Sequence, residues 1–346
     1  MSERKMVKLE DVCEILDSKR IPITASDRKE GQYPYYGANG VQDYVDNYIF
    51  DDELVLLAED GGNFGSKDRP IAYRVSGKCW VNNHAHVLKP KEGLDVDYLC
   101  YSLMFYDVGS LVNGATRMKL TQAAMRQMVI PKCDLEKQRE IVHILSNVKF
   151  IISKRKQQLA TLDDLIKARF VEMFGGKGYP ILKWHDVFNT TTGKLDSNAA
   201  VEKGKYPFFT CSKDVLLIDK YAFDQEALLL AGNNAAGKYD VKYYNGKFNA
   251  YQRTYVLGLK NKWSYRLFQY QLEDKLGYLQ QQSLGGLTKY LTLKILGELE
   301  FIVPPMELQT RFADFVAQVD KTKLAIQKSL EKTQLLFDSL MQEYFG

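Results

Sequence analysis

The chain has 346 residues, 45% of them hydrophobic, and a mean hydropathy of −0.31, which allows two ordinary domains with full cores in a soluble protein. Its longest apolar runs, Leu54–Ala58 and Ala227–Ala231, are too short to cross a bilayer, and its first ten residues have no hydrophobic segment, so we expect neither a membrane span nor a signal peptide. The net charge of +4 permits a nucleic-acid partner without requiring one.

The five cysteines are scattered along the chain and form no Cys-x-x-Cys pair. This spacing is typical of reduced thiols and argues against a disulfide framework or a zinc site. We therefore expect a cytoplasmic protein.

The first part of the chain mixes short apolar strands with Gly-, Asn- and Asp-rich turns, and its phrases occur twice. GQYPYYG at Gly31 returns as GKYPFFT at Gly204, and YIFDDELVLLAEDGG at Tyr48 returns as YAFDQEALLLAGNN at Tyr221, each 173 residues later. GKCWVNNHAHVL at Gly77 matches GKFNAYQRTYVL in the same order. We interpret the chain as one duplicated unit, built of strands and turns with a modest amount of helix.

Each copy continues into a long segment that is predicted to be one helix. The stretch Asp134–Phe174 contains no Gly or Pro, and the corresponding stretch follows Pro304 in the second copy. Apolar residues recur at seven-residue spacing, which predicts a somewhat imperfect coiled coil. The seam residues are Leu145, Ile152, Leu159, Ile166 and Met173 in the first helix and Val316, Leu330, Phe337 and Tyr344 in the second.

The order of segments predicts an α+β fold with an internal pseudo-two-fold repeat. A helix of about 40 residues extends roughly 60 Å, and two such helices bury both apolar seams only when they pair, so we expect them to run antiparallel. The alternative is that the helices only dimerise the protein or separate its domains. The predicted domains are 1–132 and 176–304, both globular, and the helical spacers 133–175 and 305–346.

This layout resembles the specificity (S) subunits of type I restriction–modification systems, and the resemblance covers essentially the whole chain. It also rests on particular phrases. Gly31–Gly37 and Gly204–Phe209 look like the family's phrase at the start of the sheet, and Asp51–Asp60 looks like its acidic–apolar strand, as does Asp224–Gly232. Val129–Gln138 and Pro304–Gln309 look like the start of the family's conserved helices.

The resemblance implies two target recognition domains that each read one half of a split, asymmetric DNA sequence. It implies that the helices set the gap between the halves and dock two methyltransferase (M) subunits, with restriction (R) subunits as further partners. The chain itself would have no catalytic activity, and S-adenosylmethionine and ATP/Mg would be bound by partner subunits.

The most tempting catalytic motif is Gly232–Lys238, which fits the phosphate-binding pattern GxxxxGK. The next residue is Tyr239 instead of the Ser or Thr that would hold Mg²⁺, and the residues that follow alternate like a strand. We therefore expect no nucleotide site there. We also find neither an S-adenosylmethionine glycine motif nor a target-base motif, and no nucleophile with a plausible base, so we expect no catalytic residue.

Two other groups of residues invite a metal interpretation. Glu59 and Asp60 pair two carboxylates, but the second copy has Gly232 and Asn233 in their place. His84 and His86 lie on one strand face, yet the second copy has Arg253 and Tyr255 there. A shared catalytic or metal role should survive in both copies, so we expect structural or DNA-contacting roles and no metal.

Sequence-specific readers contact base edges with Arg, Lys, Asn, Gln, Asp and Glu side chains, and they hold phosphates with Lys, Arg and backbone amides. The duplicated frame places such residues in the loops that follow matched strands, and matched positions carry different side chains, such as His84 against Arg253. The predicted DNA-contacting residues are Asn39, Asn63, Lys67, Arg69, Asn83, His84, Arg117 and Lys119 in the first copy and Lys213, Asn233, Asn234, Lys238, Tyr251, Gln252, Arg253 and Lys289 in the second.

Two rival functions stay open at this point. A coiled-coil adaptor or antirestriction decoy could use the same repeat without binding DNA. A P-loop ATPase at Gly232–Lys238 would hydrolyse nucleotide by itself.

Overall fold

The computed structural model describes residues 5–66, 68–114, 118–235 and 237–346. The chain divides into two compact units, one formed by Met1–Gln157 with Lys328–Gly346 and the other by Gln158–Gln327. The fold is α+β, with a repeated mixed module and two long helices, which confirms the predicted class. Because each long helix belongs in part to both units, the four-domain division at 132, 175 and 304 stays a prediction. No helix in the described ranges is long and apolar enough to span a membrane.

The first unit is built mainly of short strands. These are β1 (Lys5–Lys8), β2 (Cys13–Ile15), β3 (Glu30–Gly37), β4 (Gly40–Val45), β5 (Phe50–Ala58), β6 (Ala72–Val81), β7 (Ala85–Pro90), β8 (Val112–Asn113), β9 (Lys119–Leu120) and β10 (Val129–Lys132). Its helices are α1 (Leu9–Val12), α2 (Val96–Met104), α3 (Gln122–Gln127) and the first part of α4 (Leu135–Phe174), with 3₁₀ turns at Asp17–Lys19 and Ala25–Asp27.

The second unit repeats this composition. Its strands are β11 (Ile181–Lys183), β12 (Phe188–Thr192), β13 (Tyr206–Phe209), β14 (Leu216–Ile218), β15 (Phe223–Ala231), β16 (Asn233–Asn234), β17 (Val241–Ala250), β18 (Thr254–Leu259), β19 (Lys289–Tyr290) and β20 (Glu300–Ile302). Its helices are α5 (Trp184–Val187), α6 (Tyr265–Asp274), α7 (Leu276–Gln282), α8 (Leu293–Gly297) and the first part of α9 (Met306–Phe345), with a 3₁₀ turn at Ser197–Ala199.

Both units contain a six-stranded sheet with the same strand order. The order is β2-β7-β5-β6-β3-β4 in the first unit and β12-β18-β15-β17-β13-β14 in the second. Neighbouring strands are antiparallel except for the pairs β3–β6 and β13–β17, which are parallel. The duplication read from the sequence is therefore also a duplication of topology.

Two glycines of the repeated phrases are explained by close backbone contact. A Cβ built on Gly31 would lie 2.3 Å from the backbone of Asp46, and one built on Gly204 would lie 2.3 Å from the backbone of Ile218. No side chain fits at either position, because neighbouring backbone already fills the space. This contact accounts for the glycine that begins both copies of the phrase.

The central strands β5 and β15 are covered on both faces, which explains their continuous apolar runs. In β5, Leu54 and Leu56 enter one buried cluster while Val55 and Leu57 enter another. In β15, Leu228 and Leu230 face one cluster while Ala227 and Leu229 face the other. Side chains alternate between the two faces of a strand, so a strand buried on both sides shows no polar positions.

In the second unit, α4 and α9 pack antiparallel along the predicted seam. Asp163 pairs with Lys323, the guanidinium of Arg169 lies 5.7 Å from the ring centre of Phe315, and the rings of Phe174 and Phe312 lie 5.6 Å apart. Residue numbers therefore rise along one helix as they fall along the other. Ile166, Met173 and Val316 of the seam are buried in the same cluster.

In the first unit, the remaining parts of the same two helices close the core. Leu145 and Ile152 of α4 are buried together with Phe337 of α9, and Leu330 and Tyr344 pack against this cluster from the rim. These are seam residues of the predicted heptads. The antiparallel helical pair is thus part of each hydrophobic core.

Each long helix is fixed to its module by a buried glutamine in the first turn. The Gln138 side chain accepts a hydrogen bond from the Asp95 amide (2.8 Å) and donates to the carbonyl of Cys133 (2.8 Å). The Gln309 side chain accepts from the Ser264 amide (2.9 Å) and donates to the carbonyl of Pro304 (2.8 Å). Asp95 and Ser264 occupy the N-cap positions of α2 and α6, so the same amide joins the same two helix starts in both units.

We predict that Phe312→Ala lowers the free energy of unfolding by about 3–5 kcal/mol. Phe312 is fully buried, and its ring packs against Phe170, Phe174 and Tyr270. The matched control is Leu324→Ala on the same helix, because Leu324 is 56% exposed and little apolar surface would be lost. Urea unfolding measures both, and equal losses would contradict the assigned helix pairing.

Candidate nucleic-acid interface

Backbone hydrogen bonds gather three loops and β9 at one place in the first unit. The Asn82 amide donates to the carbonyl of Tyr36 (3.0 Å), and the Glu59 amide donates to the carbonyl of His84 (2.9 Å). The Leu120 amide donates to the carbonyl of Glu59 (2.8 Å). We call the residues that these bonds bring together the first loop surface: 38–39, 59–64, 82–84 and 118–119.

The second unit makes the same hydrogen bonds at the matched positions. The Tyr251 amide donates to the carbonyl of Phe209 (2.9 Å), the Gly232 amide to that of Arg253 (2.8 Å), and the Leu291 amide to that of Gly232 (2.8 Å). The second loop surface comprises residues 210–213, 232–234, 237–238, 251–253 and 289–290. A shared backbone frame therefore carries different side chains in the two units.

Most of the predicted residues of the first copy lie on or beside the first loop surface. Asn39 is exposed, and its side-chain amide donates to the carbonyl of Gly61 (3.0 Å). Asn83 is exposed at the tip of the β6–β7 turn, and His84 lies 3.4 Å from the Asp60 carboxylate. Lys119 is exposed on β9, with its ammonium 3.2 Å from Glu59.

Two further predicted residues of the first copy lie in the loop after β5, Asn63 on the first loop surface and Arg69 beyond it. Asn63 is half-buried in the loop after β5, and its carbonyl accepts from the Ser66 amide. Arg69 is exposed further along that loop, and no side-chain contact with the other predicted residues is seen in the described part of the unit. Lys67 and Arg117 lie outside the described residues.

The predicted residues of the second copy all lie on the second loop surface. Asn233 and Asn234 form β16, which pairs with Tyr290 and Lys289 of β19. The Lys238 amide donates to the Asn234 side chain (3.3 Å). The remaining predicted residues have mostly exposed side chains: Lys213, Lys238, Tyr251, Gln252 and Arg253.

The GxxxxGK motif lies within this surface and does not begin a helix. Its asparagines form β16, and the strand β17 begins at Val241, three residues after Lys238. A phosphate-binding loop requires a helix N-terminus after the lysine. The geometry is that of a turn between strands, as the alternating sequence predicted.

Beneath the first loop surface lies a buried cluster of charged side chains that the sequence did not reveal. His86 is fully buried, with Nδ1 2.7 Å from Asp17 Oδ2 and Nε2 2.9 Å from the carbonyl of Leu120. Arg20 Nη1 lies 2.5 Å from Glu59 Oε2, and Nη2 lies 3.5 Å from Asp17 Oδ2. We call Asp17, Arg20, Glu59 and His86 the buried charge cluster.

The carboxylates of this cluster are held by protein donors. Asp17, Glu59 and His86 place potential ligand atoms within 4.8 Å of one another, which is close enough for a cation. However, the guanidinium of Arg20 contacts both carboxylates from within the cluster. We therefore assign no metal site there, and the roles of His84 and His86 differ: one borders the loop surface and the other is core.

In the second unit, a neutral side chain makes the hydrogen bond that His86 makes in the first. Tyr255 occupies the position that matches His86, and its hydroxyl donates to the carbonyl of Leu291 at 3.0 Å. Leu291 itself matches Leu120, which accepts from His86. Both units therefore have a hydrogen bond from the sheet to a backbone carbonyl beside the loop surface. Its donor is an imidazole in the first unit and a phenol hydroxyl in the second.

One exposed apolar side chain beside the second loop surface was missed by the sequence reasoning. Leu284 and Tyr290 pair through two backbone hydrogen bonds, and Leu287 lies between them with 95% of its surface exposed. An apolar side chain of this kind can contact a thymine methyl group. The sequence signal that could have identified Leu287 is its position in the turn sequence Gly285-Gly286-Leu287-Thr288.

The model of the type I restriction modification DNA specificity domain matches this chain twice, over residues 1–162 and 177–335. A protein named as a type I restriction enzyme specificity subunit, from Haemophilus influenzae, is 39% identical over 153 residues, which cover 44% of this chain and 39% of that protein. The EcoDI specificity subunit of Escherichia coli is 37% identical over 150 residues, which cover 41% of this chain and 32% of that protein. The matched region thus spans less than half of the length of these curated relatives.

The crystal structure of a type I restriction–modification S subunit from M. genitalium has a similar fold. The TM-score is 0.66 at 15% sequence identity, and the match covers 99% of this chain and 96% of that one. At this identity the likeness concerns the fold alone.

We predict that Asp17→Asn lowers stability at neutral pH by about 1–3 kcal/mol and flattens its dependence on acid. Burial opposes ionisation of Asp17, but the hydrogen bond and charge of His86 and the donors of Val87 and Gln122 outweigh it, so the pKa of Asp17 is lowered. A lowered pKa gives stability that is present above the unfolded-state value and is lost as pH falls through the folded-state value.

Urea unfolding at a series of acidic pH values measures this effect. The difference between the wild type and Asp17→Asn should shrink as pH falls. Asp43→Asn is the control, because the Tyr44 amide and Arg28 lower the pKa of Asp43 but its carboxylate is exposed. A difference that is independent of pH would contradict the assigned role of Asp17.

Proposed function

The chain belongs to the type I restriction modification DNA specificity family, and we propose that it is the sequence-specific DNA-recognition subunit of a type I restriction–modification complex. Each unit reads one half of a bipartite, asymmetric target. The observation that carries the proposal is that two loop surfaces share their backbone hydrogen bonds and differ in their side chains. Two half-sites of different sequence require that combination.

Base reading is assigned to the β6–β7 turn of the first unit and to the matching β17–β18 turn of the second. Arg253 can donate two hydrogen bonds to guanine, and Gln252 can pair in the same way with adenine. The first unit offers Asn83 and His84 at these positions, so its preferred bases differ. The turns are held by the bonds from Glu59 and Gly232 described above, which keeps the side chains in place before DNA arrives.

Phosphate contacts are assigned to the surrounding cations. Lys238 and Lys289 flank the reading turn of the second unit, and Lys119 flanks that of the first. Phosphate contacts fix register and supply salt-dependent affinity without reading sequence. The mild net charge of +4 is therefore less important than the grouping of cations around two surfaces.

Two methyltransferase subunits are the proposed protein partners, with restriction subunits as further ones. The first-unit parts of the long helices expose Phe150 (61%), Ile151 (41%), Leu335 (68%) and Leu336 (50%). Exposed apolar side chains on packed helices support a protein interface there. S-adenosylmethionine and ATP/Mg are assigned to these partners, and the chain itself is proposed to be non-catalytic.

The family membership favours this function over a DNA-free adaptor or antirestriction decoy, and the strand that follows Lys238 disfavours an ATPase. A location in the cytoplasm, where the DNA and the methyltransferase subunits are found, belongs to the same proposal.

Mapping of methylated adenines across the genome, with and without this chain, tests the function directly. We expect a split motif whose modification disappears when the chain is removed. The adaptor alternative predicts that methylation is unchanged. Retention on a DNA column that requires the methyltransferase and falls steeply with salt would provide the binding evidence.

We predict that Arg253→Ala weakens binding by about 1–3 kcal/mol and relaxes one position of one half-site. Selection from randomised DNA measures both effects. Lys262→Ala is the matched control, because Lys262 is an exposed cation just beyond the other end of β18. An equal loss on every sequence would reassign Arg253 to the phosphate backbone.

A further inference from the structure

We propose that His86 is a doubly protonated imidazolium at neutral pH and is the positioning residue of the first loop surface, the role that Tyr255 fills in the second. Its consequence for DNA binding rests on the proposed function, whereas its protonation state and its effect on the loop do not.

The first argument is the chemistry of the two atoms that face the ring. Nδ1 lies 2.7 Å from a carboxylate oxygen of Asp17, and Nε2 lies 2.9 Å from the carbonyl oxygen of Leu120. A carbonyl and a carboxylate can only accept hydrogen bonds. Both ring nitrogens must therefore carry a proton to satisfy their neighbours, and the ring has no access to water because its side chain is fully buried.

The second argument places the shared proton on His86 and not on Asp17. Asp17 Oδ1 accepts from the Val87 amide (2.8 Å), and Oδ2 accepts from Gln122 Nε2 (2.9 Å) as well as from the ring. The Val87 amide, Gln122 Nε2 and the guanidinium of Arg20, 3.5 Å from Oδ2, all stabilise the ionised form of this carboxyl group. The surroundings of Asp17 thus match an ionised carboxylate.

The third argument is charge balance within the buried charge cluster. Asp17 and Glu59 supply two negative charges, and Arg20 supplies one positive charge. An imidazolium at His86, which also lies 3.6 Å from Glu59, supplies the second. A neutral ring would leave the second carboxylate charge to be balanced by Lys119 alone, whose ammonium is 51% exposed and contacts Glu59 Oε1 from the solvent side.

This balance leaves Lys119 available for DNA. The ammonium of Lys119 is 51% exposed and approaches Glu59 Oε1 from the solvent side, while Arg20 holds Oε2 of the same carboxylate. Lys119 can therefore turn to a phosphate or base without leaving Glu59 unpaired. The neighbouring residue Leu120 accepts from His86, so the imidazolium ties the strand that carries Lys119 to the sheet.

A ring with only one proton would place a lone pair opposite an acceptor, and the hydrogen bond to the strand that carries Lys119 would be lost. The charged groups that face the ring are Asp17 and Glu59, with Arg20 and Lys119 paired to them and the His84–Asp60 pair on the adjacent turn. The second unit keeps its tie, because burial raises the pKa of Tyr255 and its hydroxyl stays a donor.

Nuclear magnetic resonance of the full chain, labelled with ¹⁵N at the histidine rings, tests the protonation state. The chain has four histidines, and the spectrum of His86→Gln identifies the His86 signals by their loss. We expect two protonated ring nitrogens at neutral pH. One protonated and one bare nitrogen would overturn the proposal.

Hydrogen exchange at neutral pH tests the positioning role without DNA. We expect His86→Gln to lower the protection of residues 118–120 about tenfold, the loss of one charge-assisted bond, while protection of residues 289–291 is unchanged. Tyr255→Phe should loosen residues 289–291 and leave residues 118–120 unchanged. An equal loss of protection in the two segments of His86→Gln would overturn the role of His86.

The matched DNA experiment uses oligonucleotides in which one half-site at a time is intact, with the methyltransferase present. We expect His86→Gln to weaken recognition by the first unit selectively. A uniform weakening of both half-sites would overturn the assigned positioning role. Failure to bind either half-site, with the ring and exchange results as expected, would reject the proposed function alone.

Discussion

The buried amide of Gln138, and that of Gln309 in the second unit, is the interaction on which the arrangement of each module depends. It joins the first turn of a long helix to the start of the helix that packs on the sheet. A buried amide bonded at both its oxygen and its nitrogen tolerates little displacement, because any shift would leave a polar atom unpaired. The direction in which each long helix leaves its module is set here, and with it the direction of the loop surface relative to that helix.

Because the chain is duplicated, the atoms that shape each loop surface can be distinguished from the side chains that differ between the two units. The hydrogen bonds that shape each loop surface run between backbone atoms, so they persist when side chains change. The units also show that a supporting bond can keep its acceptor and exchange its donor, with an imidazole in one and a phenol in the other. A scaffold of this kind can acquire a new recognition sequence by changing exposed residues only, provided that the support beneath them remains satisfied.

Much of this architecture could be predicted from the sequence because the repeat was visible in it. The heptads identified both long helices, and the apolar runs identified the central strands β5 and β15. The phrase that contains Gln138 could be matched to that of Gln309, yet only coordinates show that the amide is buried. Matching also located the loop residues, since turns between matched strands must coincide in space.

The remainder depended on contacts between residues far apart in the chain. Asp17 and Arg20 lie in an unremarkable polar segment, and nothing in their spacing connects them with Glu59 or His86. The strand order, including the parallel pairs β3–β6 and β13–β17, likewise follows from packing and not from local pattern. Leu287 was passed over because a single leucine in a turn is common, and only its exposure distinguishes it.

The last helix has a bearing on how the protein is made. Phe337 and Phe345 complete the core of the first unit, where the ring of Phe345 lies 5.1 Å from that of Tyr98. The second unit, by contrast, is one continuous stretch, Gln158–Gln327. On the ribosome, the first module is therefore translated before the second but can complete its hydrophobic core only afterwards. The apolar surface that α9 covers stays exposed until residues 328–346 have emerged from the exit tunnel.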